Sequence, residues 1–228
     1  MLVFVVVTPF LLKNRRQRTF NQQTFFFLVL EKTKLKNNVD FLQTKVQSSG
    51  GAGYVLNEDG EFKIVGFAYK NKLAAEGILS NISSDFNPEI IERTVPAIKR
   101  KVQLKISSEP QILEAFKFAK NVIDNFYDNI VLYSKSKISD AEFYRWLGKT
   151  ALESEGLKAS LNNIKNNKKW FKSLSSETLT MLLVIENTFK NLSNEIYKSG
   201  KIASTMKNGL VFLIEMRIST AKNVNKIR

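Results

Sequence analysis

The spacing of apolar positions changes along the chain, and the changes divide it into elements. Thr24–Lys32 (TFFFLVLEK) concentrates β-formers over a strand-like length. Lys34–Ser48 then places Leu35, Val39, Leu42 and Val46 at steps of 4, 3 and 4, which is a helical stripe. Gly50–Gly51–Ala52–Gly53 ends that helix and turns the chain. A short strand at Tyr54–Leu56, a tight turn at Asn57–Gly60 (NEDG) and a strand at Glu61–Lys70 read as a hairpin. Asn71 is placed to cap a helix over Lys72–Ile82. Beyond Pro88, two extended stretches are predicted, Ile90–Ile98 and Lys101–Ile106. The second alternates Val102, Leu104 and Ile106 with Gln103 and Lys105.

The order is β-α-β-β-α-β, and its halves echo each other: residues 28–42 (LVLEKTKLKNNVDFL) lie over 65–79 (VGFAYKNKLAAEGIL) without a gap. That is a ferredoxin-like split, an antiparallel sheet with both helices on one face and the other face open. From Ser108 onward every pattern is helical. Ser108 with Gln111 suggests a capping box ahead of Ile112, Phe116, Ala119, Ile123, Phe126 and Ile130. Ser139 with Glu142 opens a second helix and Ser176 a third, which Gly200 closes. Ala203, Met206, Leu210 and Leu213 mark a fourth. The expected fold class is α+β: a ferredoxin-like domain over residues 20–106, then an antiparallel helical bundle over 107–228.

Composition narrows the chemistry. The chain has no His and no Cys, which excludes a thiolate nucleophile, a Ser-His-Asp triad, a Cys/His zinc site and an imidazole base. Carboxylates that sit close in sequence include Glu58 with Asp59, in the hairpin turn, and Glu153 with Glu155, two apart on a helix and so facing different ways. Neither makes a catalytic pair, and no cofactor or metal is expected; the chain reads as a binding protein, not an enzyme. Thirty-five Lys and Arg against 21 Asp and Glu give +14. That balance suits an anionic partner such as nucleic acid, lipid headgroups or an acidic wall polymer. The basic residues are spread out and only eight are Arg, a pattern that an A/T-rich genome also produces.

Residues 1–19 combine an apolar run of 11 residues (Leu2–Leu12) with Lys13, Arg15, Arg16 and Arg18. The run is short of the roughly 20 apolar residues that span a bilayer. The expectation is a truncated membrane anchor that associates the chain with a membrane. The positive-inside rule would instead keep the remainder in the cytoplasm if the start is genuine.

The first unit resembles the SPOR (sporulation-related repeat) domain family. FFFLVLEK (25–32), GGAGY (50–54), FKIVGFAYKNK (62–72) and LAAEGIL (73–79) carry the resemblance, in that order and spacing, over residues 20–106. The resemblance implies a bacterial, extracytoplasmic, membrane-held domain of cell division or sporulation. Such a domain binds peptidoglycan glycan strands stripped of stem peptides on its open sheet face. If Ile64, Gly66 and Ala68 face the helices, alternation turns Lys63, Val65, Phe67 and Tyr69 to that open face, with Phe26, Leu28, Leu30 and Lys32 beside them. The candidate glycan-binding residues are therefore Phe67, Tyr69, Lys63, Tyr54, Phe26 and Leu28. The bland alternative is that these aromatics pack against the bundle. Two other functions stay open. Lys63–Tyr69 (KIVGFAY) faintly echoes the RNP1 motif of RNA-binding RRM domains, which share the βαββαβ order. The bundle could also dock a protein partner, with the sheet unit as a spacer.

Overall fold

The computed structural model describes residues 20–199 and 202–227, and the expected anchor at 1–19 lies outside these described residues. Among the described residues there are four strands: β1 (Gln23–Thr33), β2 (Tyr54–Glu58), β3 (Glu61–Tyr69) and β4 (Glu89–Val95). They form one sheet in the order β2-β3-β1-β4 with every neighbouring pair antiparallel. Two helices follow β1 and β3, α1 (Val39–Ser48) and α2 (Lys72–Leu79). The α+β class and the β-α-β-β-α-β order therefore stand as expected. Asn71 caps α2 by accepting from the Leu73 amide at 2.8 Å. Asp59 (φ 52°) and Gly60 (φ 78°) turn the β2–β3 hairpin with two positive φ angles, the geometry whose twist matches the flanking strands.

Past the sheet come α3 (Arg100–Ser107), α4 (Pro110–Ser134), α5 (Asp140–Asn162), α6 (Lys169–Ser199) and α7 (Ile202–Val224), the last four packed on one another. The strand expected at Lys101–Ile106 is instead α3. Three alternating apolar residues fit a helix equally well. In a helix positions i and i+4 share a face while i+2 points away. Accordingly Val102 and Ile106 are buried and Leu104 is 67% exposed. The predicted Ser108 capping box is also absent. Ser108 ends α3 by donating to the Lys105 carbonyl, and α4 starts with Pro110 in its first turn, where no amide is needed. Ser139 and Glu142 do form a capping box at the start of α5.

The largest departure concerns the sheet. Its second face, expected to be open, is covered by α7 and the bundle behind it. Phe25, Phe27, Val29 and Val65, all 0% exposed, join Ile112, Phe126, Leu210 and Val211 in one continuous apolar core. The reason is visible in β1, where Phe25 to Leu30 are large and apolar on both faces, the pattern of a strand buried twice. A smaller core on the opposite face joins Leu28, Leu30, Val46 and Ile64 beneath α1 and α2.

Polar contacts fasten α7 to the sheet. Arg93 on β4 donates to both carboxylate oxygens of Glu215 on α7, at 2.7 and 2.5 Å, and also pairs with Glu58. The buried Arg217 donates to Gln23 Oε1 at 2.7 Å. Ser204 Oγ, Lys207 Nζ and Asn208 Nδ2 donate to the carbonyls of Gly51, Gly50 and Ala52 at 2.7, 2.7 and 3.1 Å. The glycine turn after α1 thus finds its hydrogen-bond partners on the last helix, about 150 residues away.

Candidate functional site

The β1–β3 pairing slips twice. Leu28 pairs with Phe67 and Val29 with Val65, so Gly66 is an extra residue on β3. Glu31 then pairs with Ile64, which leaves Leu30 extra on β1. Gly66 suits this position because its missing side chain leaves room for Leu30. A Cβ there would stand 2.7 Å from Leu30 Cδ1. These two bulges reverse the alternation that the sequence implied and divide the six candidate residues between the faces.

Leu28, Phe67 and Tyr69 line one pocket of about 320 Å³ on the α1–α2 side. Phe26 is paired with Tyr69 across the ladder and sits beside them. Tyr54, which pairs with Val65, and Lys63, which pairs with Leu56, lie on the opposite, bundle-facing side. There Tyr54 packs against the main core, and burial pushes its hydroxyl above the usual range, with the Glu215 charge adding to the effect and Arg93 opposing it. Lys63 is occupied by Glu58 at 3.3 Å. The expectation that Phe26, Leu28, Lys63, Phe67 and Tyr69 share one exposed face, with Tyr54 at its flank, is therefore corrected: three meet in a pocket, Phe26 flanks it, and Lys63 and Tyr54 are on the far side.

The pocket opens where β2 stops. Beyond Val65 the neighbour of β3 is the glycine turn, with the Ala52 amide donating to the Gly66 carbonyl at 2.7 Å. Phe67, only 7% exposed, stacks on Tyr127 of α4 at 5.8 Å and meets Tyr69 edge-on at 4.9 Å. Ile78 and Ile82 add apolar wall, and Phe86 lies beside Lys45, whose ammonium is 4.7 Å from the ring centroid. At the rim are Ser49, Ser83 and Lys207. Burial lowers the pKa of Lys207, which also lies 5.6 Å from the Phe67 ring centroid. Tyr69 is pushed up to about 12, first by burial and then by neighbouring Tyr127, so it is a neutral phenol at physiological pH.

Aromatic and aliphatic walls with a few hydroxyls and one ammonium suit a neutral, polyhydroxylated ligand whose CH faces lie on the rings. The volume is near the small end of the roughly 300–1,000 Å³ typical of ligand pockets, so it admits a unit of about monosaccharide size. Among the described residues, no group of three or more Asp and Glu is placed to hold a metal ion, and no helix is long and apolar enough to cross a membrane.

Sequence reasoning missed Phe86, Ile82 and Lys207. The first two lie in or beside a loop that carries no periodic signal, and Lys207 arrives from the far end of the chain. The bulge at Gly66 was missed as well: a glycine inside a strand pattern can mark one, but the expected faces rest on regular alternation through it.

The protein so defined is an α+β protein whose split βαββαβ sheet is enclosed between a helix pair and a helical bundle. Neither a protein-family model, nor a curated protein, nor a solved structure matches the chain.

Proposed function

We propose that this chain is a non-catalytic, cell-envelope protein that holds a peptidoglycan glycan strand, free of stem peptides, by one sugar unit seated in the α1–α2 pocket. The observation that carries this reading is that Leu28, Phe67 and Tyr69, three of the six residues marked by the SPOR-like pattern, line one pocket together with Phe86. The site differs from the family expectation in its face: contact is made at the open end of β3 and not across the middle of the sheet. The RNA-binding alternative keeps the net charge of +14 but loses its stacking platform, because Phe67 is already stacked on Tyr127.

The test is co-sedimentation of the full chain with purified sacculi, before and after amidase removal of stem peptides, at low and high salt. Pelleting should increase after stripping, survive salt, and fall about tenfold in affinity for Tyr69→Ala and Phe86→Ala, as expected when a stacking contact worth ~1–1.5 kcal/mol is lost. Pelleting that disappears in salt, or that both variants retain, would refute the reading.

A further inference from the structure

Residues 156–176 (GLKASLNNIKNNKKWFKSLSS) contain five lysines and no acidic residue. In the fold they run from the end of α5, through a short loop, into the first turns of α6. Between these two helices lies an open groove of about 810 Å³. Lys158, Lys165 and Lys172 line it, and its remaining polar lining includes Asn162, Ser176 and Thr180. Its apolar lining includes the buried Leu161 and Phe171 and the exposed Leu183.

One lysine here has a structural assignment: Lys158 pairs with Glu186. Among the described residues, Lys165, Lys168, Lys169 and Lys172 form no salt bridge. A helix C-terminus draws in one or two cations through its dipole of about half an elementary charge. Four uncompensated lysines exceed that need. They gather beside the start of α6, whose first turn carries no acidic side chain to offset its free amides. Two of the four, Lys165 and Lys172, line the groove itself, so it is a local concentration of positive charge that also carries hydroxyl and amide groups.

We infer that this groove binds the phosphodiester backbone of a polyol-phosphate chain, such as poly(glycerol phosphate). The groove contains no arginine, the residue whose planar fork favours stacked and bidentate nucleic-acid contacts. It also presents no free aromatic platform. Phe171 is buried, and Trp170 lies edge-on to it with Lys105 above its ring. Single-stranded nucleic acid sites pair a basic groove with exposed rings that stack bases. Point-charge ammonium groups, amides and hydroxyls instead match a ligand whose units alternate phosphate with hydroxylated carbon.

This site is separate from the sugar pocket, so the two readings stand or fall independently. The experiment is an equilibrium titration of the full chain with purified poly(glycerol phosphate), at two salt concentrations, beside Lys165→Gln/Lys172→Gln. Both lysines are exposed, so the double variant should fold, and circular dichroism checks this. Removing two phosphate contacts should weaken binding about twentyfold near 0.1 M salt and reduce the salt slope by roughly 1.4. Tyr69→Ala should leave this affinity unchanged. Equal binding by the double variant would overturn the proposal. So would tighter binding of single-stranded poly(U) RNA, lost in the same variant, which would make the groove a nucleic-acid site. Saturation by inorganic phosphate at the same affinity as the chain would reduce the groove to a monophosphate site, and that too overturns it.

Discussion

Gly66 has the least side chain of any residue in the sheet, yet it decides which way its neighbours point. Because it is the extra residue on β3, Phe67 pairs with Leu28, not with Phe27. Gly66→Ala puts a methyl group 2.7 Å from Leu30 Cδ1, an overpacking that should cost about 1–3 kcal/mol in urea unfolding. Leu30→Ala should destabilise alone through its cavity, yet the double variant should lose less than the two singles together, since each change relieves the other. Asp124 on α4 makes a second prediction. Burial opposes its ionisation, but the hydrogen bond and charge of Lys120, the charge of Lys70 and the hydrogen bond from Gln23 outweigh it and hold the carboxyl below its ordinary 3.8. A depressed carboxylate pKa stabilises the fold above the unfolded value and loses that contribution as pH falls through the folded one. Asp124→Asn should therefore lower stability at neutral pH and flatten its decline below about pH 4, measured by urea unfolding across that range. Neither effect was legible in the sequence, since bulge pairing and the company of Asp124 depend on partners from distant segments.

The elements themselves were mostly legible, because their signals are local. The stripe of α1, the Asn71 cap, the Asp59–Gly60 turn and the Ser139 capping box each need only a few neighbouring residues. α3 was misread for the opposite reason. Three apolar residues at alternate positions satisfy both periods, and only packing against α4 distinguishes them. Substitution separates the two geometries cleanly. Val102→Asp should cost several kcal/mol, more than about 3, by leaving a charge buried and unpaired. Leu104→Lys should stay within about 0.5 kcal/mol of the parent, because that side chain faces solvent. A strand would place both residues on one face, and comparable losses in thermal melts would reinstate it.

At the scale of the whole molecule, the sheet and bundle act as one body because they share a core. Phe25, Phe27, Val29 and Val65 are buried against α7 and its neighbours, at roughly 2 kcal/mol each. The resulting ~8 kcal/mol compares with the entire 5–15 kcal/mol stability of an ordinary domain. Residues 20–106 alone should consequently fail to fold and should bind hydrophobic dyes, while the full chain should unfold in one cooperative transition by calorimetry. Two separated transitions, or a soluble folded fragment, would show that the sheet is self-sufficient. The covered face was hard to read because β1 offers large apolar residues to both sides, and no local pattern names the element that lies over the second side.

The hydrogen bond from Arg217 to Gln23 links residues 194 apart, and the carbonyls of Gly50 and Gly51 wait for Lys207 and Ser204. During synthesis, then, the amino-terminal strands leave the ribosome long before the helix that shields them exists. At about 5–20 residues per second, some ten seconds or more pass with that apolar sheet uncovered. Until α7 has emerged the sheet has neither its apolar cover nor the donors for its glycine turn, so the two must be completed together.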